Sequence, residues 1–304
     1  MKNTFCISID TEPDCDINWK RSKPLTFESV NTGIPKILRP IWNCYGIKPV
    51  YFVSPEVVKN DQCCETIKKE IELGAEIGAH LHPEYIEPHL KYDDASGTNS
   101  NEFPCLAYDD STEFEKLKNL TELIKNKLQV TPVSYRAARY GADIGTIHIL
   151  IKLEYQVDSS VTPHINWAKK GGVDHSRAPE QPYFIDYENY YKEGKSQLLE
   201  VPITISGKRA PFLPEKWLFY KWLRPSHMTA LEMKLLIKEF IKKYDTPVLN
   251  MMFHSMEIIP KKSPFVRTAF GQKLFLKRIE KTIKYLLKKD FVSMTLKEVY
   301  YEKL

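Results

Sequence analysis

The chain has 304 residues, 42% hydrophobic and 12% aromatic, which is enough to bury one large core or two small ones and excludes a disordered composition. Lys and Arg number 44 against 39 Asp and Glu, a net charge of +5, and no nucleic-acid-binding signature accompanies that mild excess. No apolar run reaches the roughly 20 residues needed to cross a bilayer, and the six cysteines form no CxxC pair, so the composition reads as a cytoplasmic protein with reduced thiols and no nucleic-acid partner.

Residues 5–9 are apolar, end at Asp10 and predict a first strand in place of a signal peptide. Residues 31–45 predict a helix, with Pro35 near its start and Gly46 just past its end. A strand over 49–53, a helix over 62–73 closed by Gly74, and a short strand over 76–79 running into His80 complete a β-α-β-α-β order. Parallel strands with helical crossovers follow from that order.

Residues 83–110 form a long polar stretch, expected as a functional loop. A helix follows over 111–128, with Thr112 and Glu115 as its capping box. Next come a strand over 133–136, a turn at Tyr140-Gly141, a helix over 145–153, and a strand over 155–157 ending at Asp158. A second turn-rich insertion covers 162–194, followed by a strand over 198–203 and an aromatic cluster at Trp217, Phe219, Tyr220 and Trp222. The last elements are a helix over 229–244, a buried strand over 247–253 ending at His254, an amphipathic helix over 272–289 and a strand over 291–294. The C-terminal lysines, Lys281, Lys284 and Lys288 among them, read first as a solvated helix face and leave room for weak attraction to a membrane surface. No repeat or linker interrupts the chain, so residues 1–304 are expected to form one barrel domain with active-face insertions near 83–110 and 162–194.

Polar residues stand at or just after five of the predicted strand ends: Asp10-Thr11-Glu12, His80-Leu81-His82, Arg136, Asp158 and His254. Each alone is ordinary; an Asp there caps a turn more often than it reacts, and a His is more often a hydrogen-bonded structural group. Together they place five polar groups on the C-terminal face of one barrel, where chemistry is expected. Alternate residues of a strand share a face, so Asp10 and Glu12 can both reach the mouth, and His80 and His82 can offer two imidazoles to one cation. Two His and one carboxylate leave coordination positions open, which suits metal-assisted hydrolysis. Neither a G-x-S-x-G elbow nor a P-loop is present.

These segments resemble the motifs of the NodB-homology polysaccharide deacetylases. Ile7-Ser8-Ile9-Asp10-Thr11-Glu12 is similar to the first motif and Gly74-Ala75-Glu76-Ile77-Gly78-Ala79-His80 to the second. Tyr135-Arg136-Ala137-Ala138-Arg139-Tyr140-Gly141 resembles the third, Asp158-Ser159-Ser160 the fourth, and Met251-Met252-Phe253-His254 the fifth, all in family order. The resemblance implies a distorted (β/α) barrel of about seven parallel strands and a metal-dependent removal of N-acetyl groups from a sugar. The subgroup it is closest to accompanies lipopolysaccharide and O-antigen biosynthesis. By the same resemblance Asp10 is the general base, held by Arg136; His254 is the general acid, paired with Asp158; His80 is a metal ligand; and a backbone N–H near Tyr140 meets the substrate. The family's Asp-Asp is here Asp10-Thr11-Glu12, which moves the metal carboxylate to Glu12. The family's second histidine position holds Glu84, and His82 is favoured over it as third ligand. One divalent cation is expected, zinc fitting such a donor set best.

Two other readings share these residues. One is a different metal-dependent amidohydrolase or phosphoesterase on the same barrel. The other is a catalytically inactive glycan-binding module, in which Trp167, Tyr183, Phe184, Trp217 and Trp222 would stack on sugar rings. A binding module has no use for a paired base and acid, which favours the enzyme.

Overall fold

The structure is a computed structural model that describes residues 2–92 and 103–304, the Trp217 side chain excepted. Its strands are β1 (Thr4–Thr11), β2 (Val50–Val53), β3 (Glu76–Leu81), β4 (Ser134–Ala137), β5 (Val157–Asp158), β6 (Tyr183–Phe184), β7 (Leu199–Glu200), β8 (Ile205–Lys208), β9 (Tyr220–Trp222), β10 (Val248–His254) and β11 (Val292–Ser293). Its α-helices are α1 (Arg39–Tyr45), α2 (Pro55–Lys59), α3 (Asp61–Glu72), α4 (Pro104–Ala107), α5 (Asp110–Leu128), α6 (Ile144–Lys152), α7 (Ala230–Lys243), α8 (Ala269–Leu287) and α9 (Leu296–Lys303).

The main sheet runs β10-β1-β2-β3-β4-β5-β7-β6, with β11 paired to β1. All its pairs are parallel except β6 with β7. The sheet curls into a half-barrel. Hydrogen bonds from the chain after β7 bridge towards β10: Asn250 donates its N–H to Thr204 Oγ1 (2.7 Å), and Thr204 N–H donates to the Asn250 carbonyl (3.1 Å). This is the α/β barrel class expected from the β-α alternation, with seven parallel strands along the path from β10 to β7.

Side-chain alternation explains two of the three apolar clusters among the described residues. In β1, Phe5, Ile7 and Ile9 join the large apolar layer under the helices, while Cys6 packs with Val50, Phe52, Val157, Leu199 and Val248 on the concave side. The concave positions of β1 then turn polar along the strand, from Cys6 to Ser8 to Asp10. On β10 the matching positions are Val248, Asn250, Met252 and His254. The half-barrel therefore has an apolar base and a polar mouth. Gly78 in β3 is required by this packing: a Cβ there would meet the Phe52 ring at 2.5 Å and Ser134 Oγ at 2.7 Å. Phe52 in turn lies under Arg136, whose Cζ is 4.4 Å from the ring centroid.

Several local features differ from the sequence reading. The helix expected over 31–45 starts at Ser29 and is wound as a π-helix over Ser29–Leu38 before α1. Pro35 lies inside it and cannot join an α-type ladder. The carboxylate of Asp14 accepts from the Glu28 and Ser29 N–H groups at its start. For α5 the cap is Asp109, which accepts from Thr112 N–H at 2.7 Å, instead of the Thr112–Glu115 box. The helix α2, the hairpin β8–β9 and the C-terminal α9 were not anticipated.

Candidate active site

Register carries the polar residues to one end of the sheet. Asp10 stands opposite His254 in the β1–β10 pairing, and His80 opposite Arg136 in the β3–β4 pairing. The result is a cavity of about 440 Å³ whose floor includes Asp10, Glu12, His80, His82 and His254.

On one side the groups converge on a single oxygen, Glu12 Oε1. His80 Nε2 is 3.2 Å from it and His82 Nε2 3.6 Å. The other nitrogen of each ring is engaged elsewhere. His80 Nδ1–H donates to the Arg136 carbonyl (2.7 Å), and His82 Nδ1–H donates to Glu56 Oε1 (2.8 Å). Fixing Nδ1 in this way sets the tautomer that presents a lone pair on Nε2. Arg21 completes the group, with Nη1 2.6 Å from Glu56 Oε1 and Nη2 3.2 Å from Glu12 Oε2. Nη2 also lies 3.1 Å from His82 Nδ1, but that nitrogen already carries a proton for Glu56, so the contact is a close approach between two donors.

Burial works to raise the Glu56 carboxyl, yet His82 and Arg21 hold it at about 2. Glu12 is likewise held well below the usual range by its histidine neighbours, against the effect of burial. Burial works to lower His82, and Glu56 overrides it to push the imidazole up to about 9, so a cation would have to displace the Nε2 proton while Nδ1–H stays on Glu56. Two ionised carboxylates thus stand against these rings. Glu12, His80 and His82 offer ligand atoms within 4.8 Å of one another, and with both Nδ1 atoms committed the donor set fits a divalent cation. Glu84 is buried beside them but is not part of that group.

The other side is built around Asp10. Arg136 Nη1 donates to Asp10 Oδ1 at 2.7 Å, Nη2 donates to Ser8 Oγ (2.8 Å) and Ser159 Oγ (2.9 Å), and Nε donates to the Ser159 carbonyl (2.9 Å). Asn250 fixes both serines, accepting from Ser8 Oγ at 2.7 Å and donating to Ser159 Oγ at 3.0 Å. Burial works to raise the Asp10 carboxyl, and the charges of Arg136 and the histidines outweigh it, so Asp10 stays ionised. His254 Nε2 faces both carboxylates, 3.8 Å from Asp10 Oδ2 and 3.7 Å from Glu12 Oε1. Its Nδ1–H donates to Glu257 Oε1 (2.9 Å), which is also bridged by Arg224. Burial works against the Glu257 charge, but Arg224 holds the carboxyl at about 2.

The partner of His254 is therefore Glu257, and the pairing read for Asp158 is corrected. Asp158 is buried in the sheet, where it accepts from Ser160 Oγ (2.6 Å) and stands against Glu200 in the neighbouring β7. Burial pushes its carboxyl up to about 6. Of the five aromatics read as sugar platforms, Trp167 and Trp222 line the cavity. Tyr183 and Phe184 lie in β6, the first with its hydroxyl on the Tyr190 carbonyl (2.6 Å) and the second against Tyr300. The Trp217 side chain lies outside the described residues. Tyr140 lines the cavity, stacked on Trp167 with centroids 5.9 Å apart.

The sequence reading missed Glu56, Glu257, Arg21 and Arg224. Two had a visible signal: Glu56 lies three residues past the end of β2, in the first turn of α2, and Glu257 lies three residues after His254. Arg21 had none, since it arrives on an irregular strap that also lays Trp19 edge-on against His254, with centroids 5.4 Å apart.

No protein-family model matches the sequence, and no curated protein matches it. Solved structures do match the fold. A probable polysaccharide deacetylase from Pseudomonas aeruginosa PAO1 aligns with a TM-score of 0.56 at 12% identity, over 98% of this chain and 89% of that one. Puue allantoinase aligns with a TM-score of 0.58 at 12% identity, over 98% and 88%. The Xyl-CE4 domain of a multidomain xylanase from the hindgut metagenome of Trinervitermes trinervoides aligns with a TM-score of 0.50 at 10% identity, over 100% and 92%. At such identities the likeness is one of fold: this chain has the curled (β/α) half-barrel architecture found in polysaccharide deacetylases and in an allantoinase.

Proposed function

We propose that this protein is a metal-dependent carbohydrate deacetylase that hydrolyses the N-acetyl group of a sugar. The observation that carries the reading is the convergence at one mouth of an Arg136-held Asp10, a Glu257-held His254 and the Glu12–His80–His82 group. The fold shared with polysaccharide deacetylases supports it. The motif resemblance extends it to cell-surface polysaccharide or lipopolysaccharide assembly in the cytoplasm. The free cysteines suit that compartment, and no described helix is long and apolar enough to cross a membrane.

A divalent cation held by Glu12, His80 and His82, zinc by the chemistry of the donors, would supply the Lewis acid that polarises the acyl carbonyl and acidifies a water. The remaining work falls to the chain. Asp10, ionised beside Arg136, takes the proton of the attacking water. Arg136 is fully buried and fixed by four hydrogen bonds, so it aims the carboxylate without moving. The developing oxyanion is met by a backbone N–H near Tyr140. His254 Nε2 gives a proton to the departing nitrogen, and Glu257 stabilises the imidazolium required for that step. Asp158 sits behind this machinery and acts through the Ser159–Ser160 segment that Arg136 binds.

The test is acetate release from N-acetylated sugars by the purified chain, before and after chelation and metal return. A second reading, an amidohydrolase acting on a cyclic amide, has the allantoinase fold match in its favour. Ring opening of allantoin without acetate release from any sugar would select it.

A further inference from the structure

The helices α7 and α8 pack side by side. Thr282 Oγ1 lies 3.9 Å from Met233 Sδ, and the Lys234 ammonium stands 5.5 Å from the Tyr285 ring centroid. Each helix buries an apolar stripe, through Met233, Leu236, Ile237 and Phe240 in α7 and through Phe275, Ile279, Ile283 and Leu286 in α8.

The opposite stripes are patterned as well. On α7 the stripe reads Leu231, Leu235, Lys238, Lys242, and all four side chains are exposed. On α8 and its C-cap it reads Phe270, Leu274, Lys277, Lys281, Lys284, Lys288, again all exposed. Steps of four and three keep each set on one side of its helix. Both stripes begin with two large apolar residues and continue in lysine. Leu231 is 67% exposed and Phe270 69%, so most of each side chain stands in water.

Between the helices runs a groove lined by Tyr285 and six lysines. Lys234 and Lys238 come from α7; Lys281, Lys284, Lys288 and Lys289 come from α8 and the turn after it. The acids of α7 are committed elsewhere. Glu232 accepts from Thr229 N–H at 2.7 Å, and Glu239 pairs with Lys221. On α8, Glu280 acts on Lys284, which also reaches towards the Tyr45 ring. A solvated helix face with last-turn cations answering the helix dipole accounts for Lys242 and Lys284. It does not account for Lys238, Lys277 and Lys281 further up, nor for leucine and phenylalanine in water on the same stripes.

We propose that the α7–α8 face docks on an anionic membrane surface, the lysines meeting lipid phosphates while Leu231, Leu235, Phe270 and Leu274 enter the headgroup boundary. Basic and exposed apolar side chains on one helical face are what such a surface takes up. A nucleic-acid backbone offers nothing to the apolar half. The choice of cation agrees: the groove holds lysines, flexible point charges suited to a diffuse array of headgroups, while Arg278 donates to the Pro225 carbonyl at 2.8 Å. The attachment is peripheral, since no described helix is long and apolar enough to cross a membrane. Phe270 follows five residues after Phe265, which lines the active-site cavity, so at most about 18 Å of chain separates the apolar end of α8 from the mouth. The proposal uses none of the residues assigned to the chemistry.

Co-sedimentation of the full chain with vesicles reads the docking. Neutral phosphatidylcholine vesicles are compared with vesicles in which about a quarter of the lipid is phosphatidylglycerol. Binding to the anionic vesicles should be roughly 10-fold or more stronger at low salt, and the advantage should shrink as salt rises. Lys238→Gln/Lys277→Gln/Lys281→Gln/Lys288→Gln should remove most of that advantage, and arginine at the same four positions, which keeps the charge, should retain it. Leu231→Ser/Leu235→Ser/Phe270→Ser should weaken binding by on the order of 10-fold. All these positions are exposed, so thermal melting should match the unaltered chain. Equal binding to both kinds of vesicle, or an advantage that survives the glutamine substitutions, would overturn the proposal. So would apolar substitutions without effect, or a duplex DNA oligonucleotide bound as tightly as the anionic vesicles: the face would then adsorb polyanions by charge alone. Acetate release from a soluble N-acetyl sugar, followed in parallel, should be the same in the four-glutamine variant and the unaltered chain. Docking without acetate from either supports the membrane face and removes the deacetylase reading. Acetate from both without docking does the reverse.

Discussion

On the Glu12 side of the mouth two imidazoles, His80 and His82, are pinned through Nδ1 and aim both Nε2 atoms at one carboxylate oxygen. On the Asp10 side a single imidazole, His254, is pinned the same way by Glu257, yet its Nε2 lies between two carboxylates and bonds to neither at hydrogen-bond length. The side chains of His80 and His82 are 2% and 3% exposed, against 17% for His254. One device, a carboxylate or carbonyl on Nδ1, therefore serves two purposes. On the proposed function, where two rings converge in a closed site it would prepare a cation-binding cage. Where one ring faces the cavity it would prepare a proton donor. Arginines divide the same way: Arg21 screens the two carboxylates of the cage, whereas Arg136 and Arg224 each hold one carboxylate ionised next to the reacting groups.

The largest effects should come from striking each half directly. His80→Ala should remove metal binding and lower kcat/KM by roughly 10³-fold or more, since a Lewis acid is worth several kcal/mol. His254→Ala should lower kcat by roughly 10²- to 10⁴-fold while metal content, read by elemental analysis, stays at wild-type level. If the two variants lose metal equally, the division between cage and donor is wrong.

The pinning carboxylates offer a finer contrast. Glu56→Gln should weaken metal affinity by about 10- to 100-fold, because His82 exchanges a charged, acceptor-only partner for a neutral amide that fixes its tautomer less firmly. With metal saturating, its kcat should stay near the wild-type value. Glu257→Gln should do the reverse. Metal affinity should hold, and kcat should fall, because the imidazolium that gives up the proton loses its negative neighbour. The same response from both variants would mean that the halves are not separable.

How much of this was readable beforehand follows from how each residue is placed. Asp10, His80, Arg136 and His254 stand at ends of apolar strands, and strand alternation alone brings them to one face. Glu12 and His82 follow by the same spacing of two. Glu56 and Glu257 lie just beyond strands and could have been suspected from that position. Arg21 and Trp19 arrive on an irregular segment whose path depends on tertiary packing, for which no periodicity exists. The Asp158 pairing failed for a related reason. A strand-end carboxylate was matched to a distant histidine by analogy, while the nearer Glu257, three residues along the chain, met the histidine first. The half-barrel was legible because β-α alternation is a long-range pattern, and the π-wound stretch at Pro35 was not, because it is a local accommodation.

The smallest effect tests which half Asp158 belongs to. If it acts on His254, Asp158→Asn should lower kcat as Glu257→Gln does. The structure puts it against Glu200 instead, so the substitution should leave kcat near the wild-type value and alter stability. Burial pushes Asp158 up to about 6, and burial with the Asp158 charge raises Glu200 well above its ordinary value, so the pair holds a proton that the unfolded chain has already lost. A carboxyl raised in the folded state contributes stability at low pH. That contribution fades as pH climbs from the unfolded value, near 4, through the folded one. Glu113, pushed up to about 8 by burial, slopes the same way, while the depressed Glu56 and Glu257 lose their contribution as pH falls towards about 2. The total curve therefore mixes signs, and the informative quantity is the difference between wild type and variant. Between about pH 4 and pH 7 the Asp158→Asn chain should gain on wild type by on the order of 1–2 kcal/mol, read from urea midpoints at each pH. A flat difference together with a fallen kcat would return Asp158 to the His254 side and undo the assignment of Glu257.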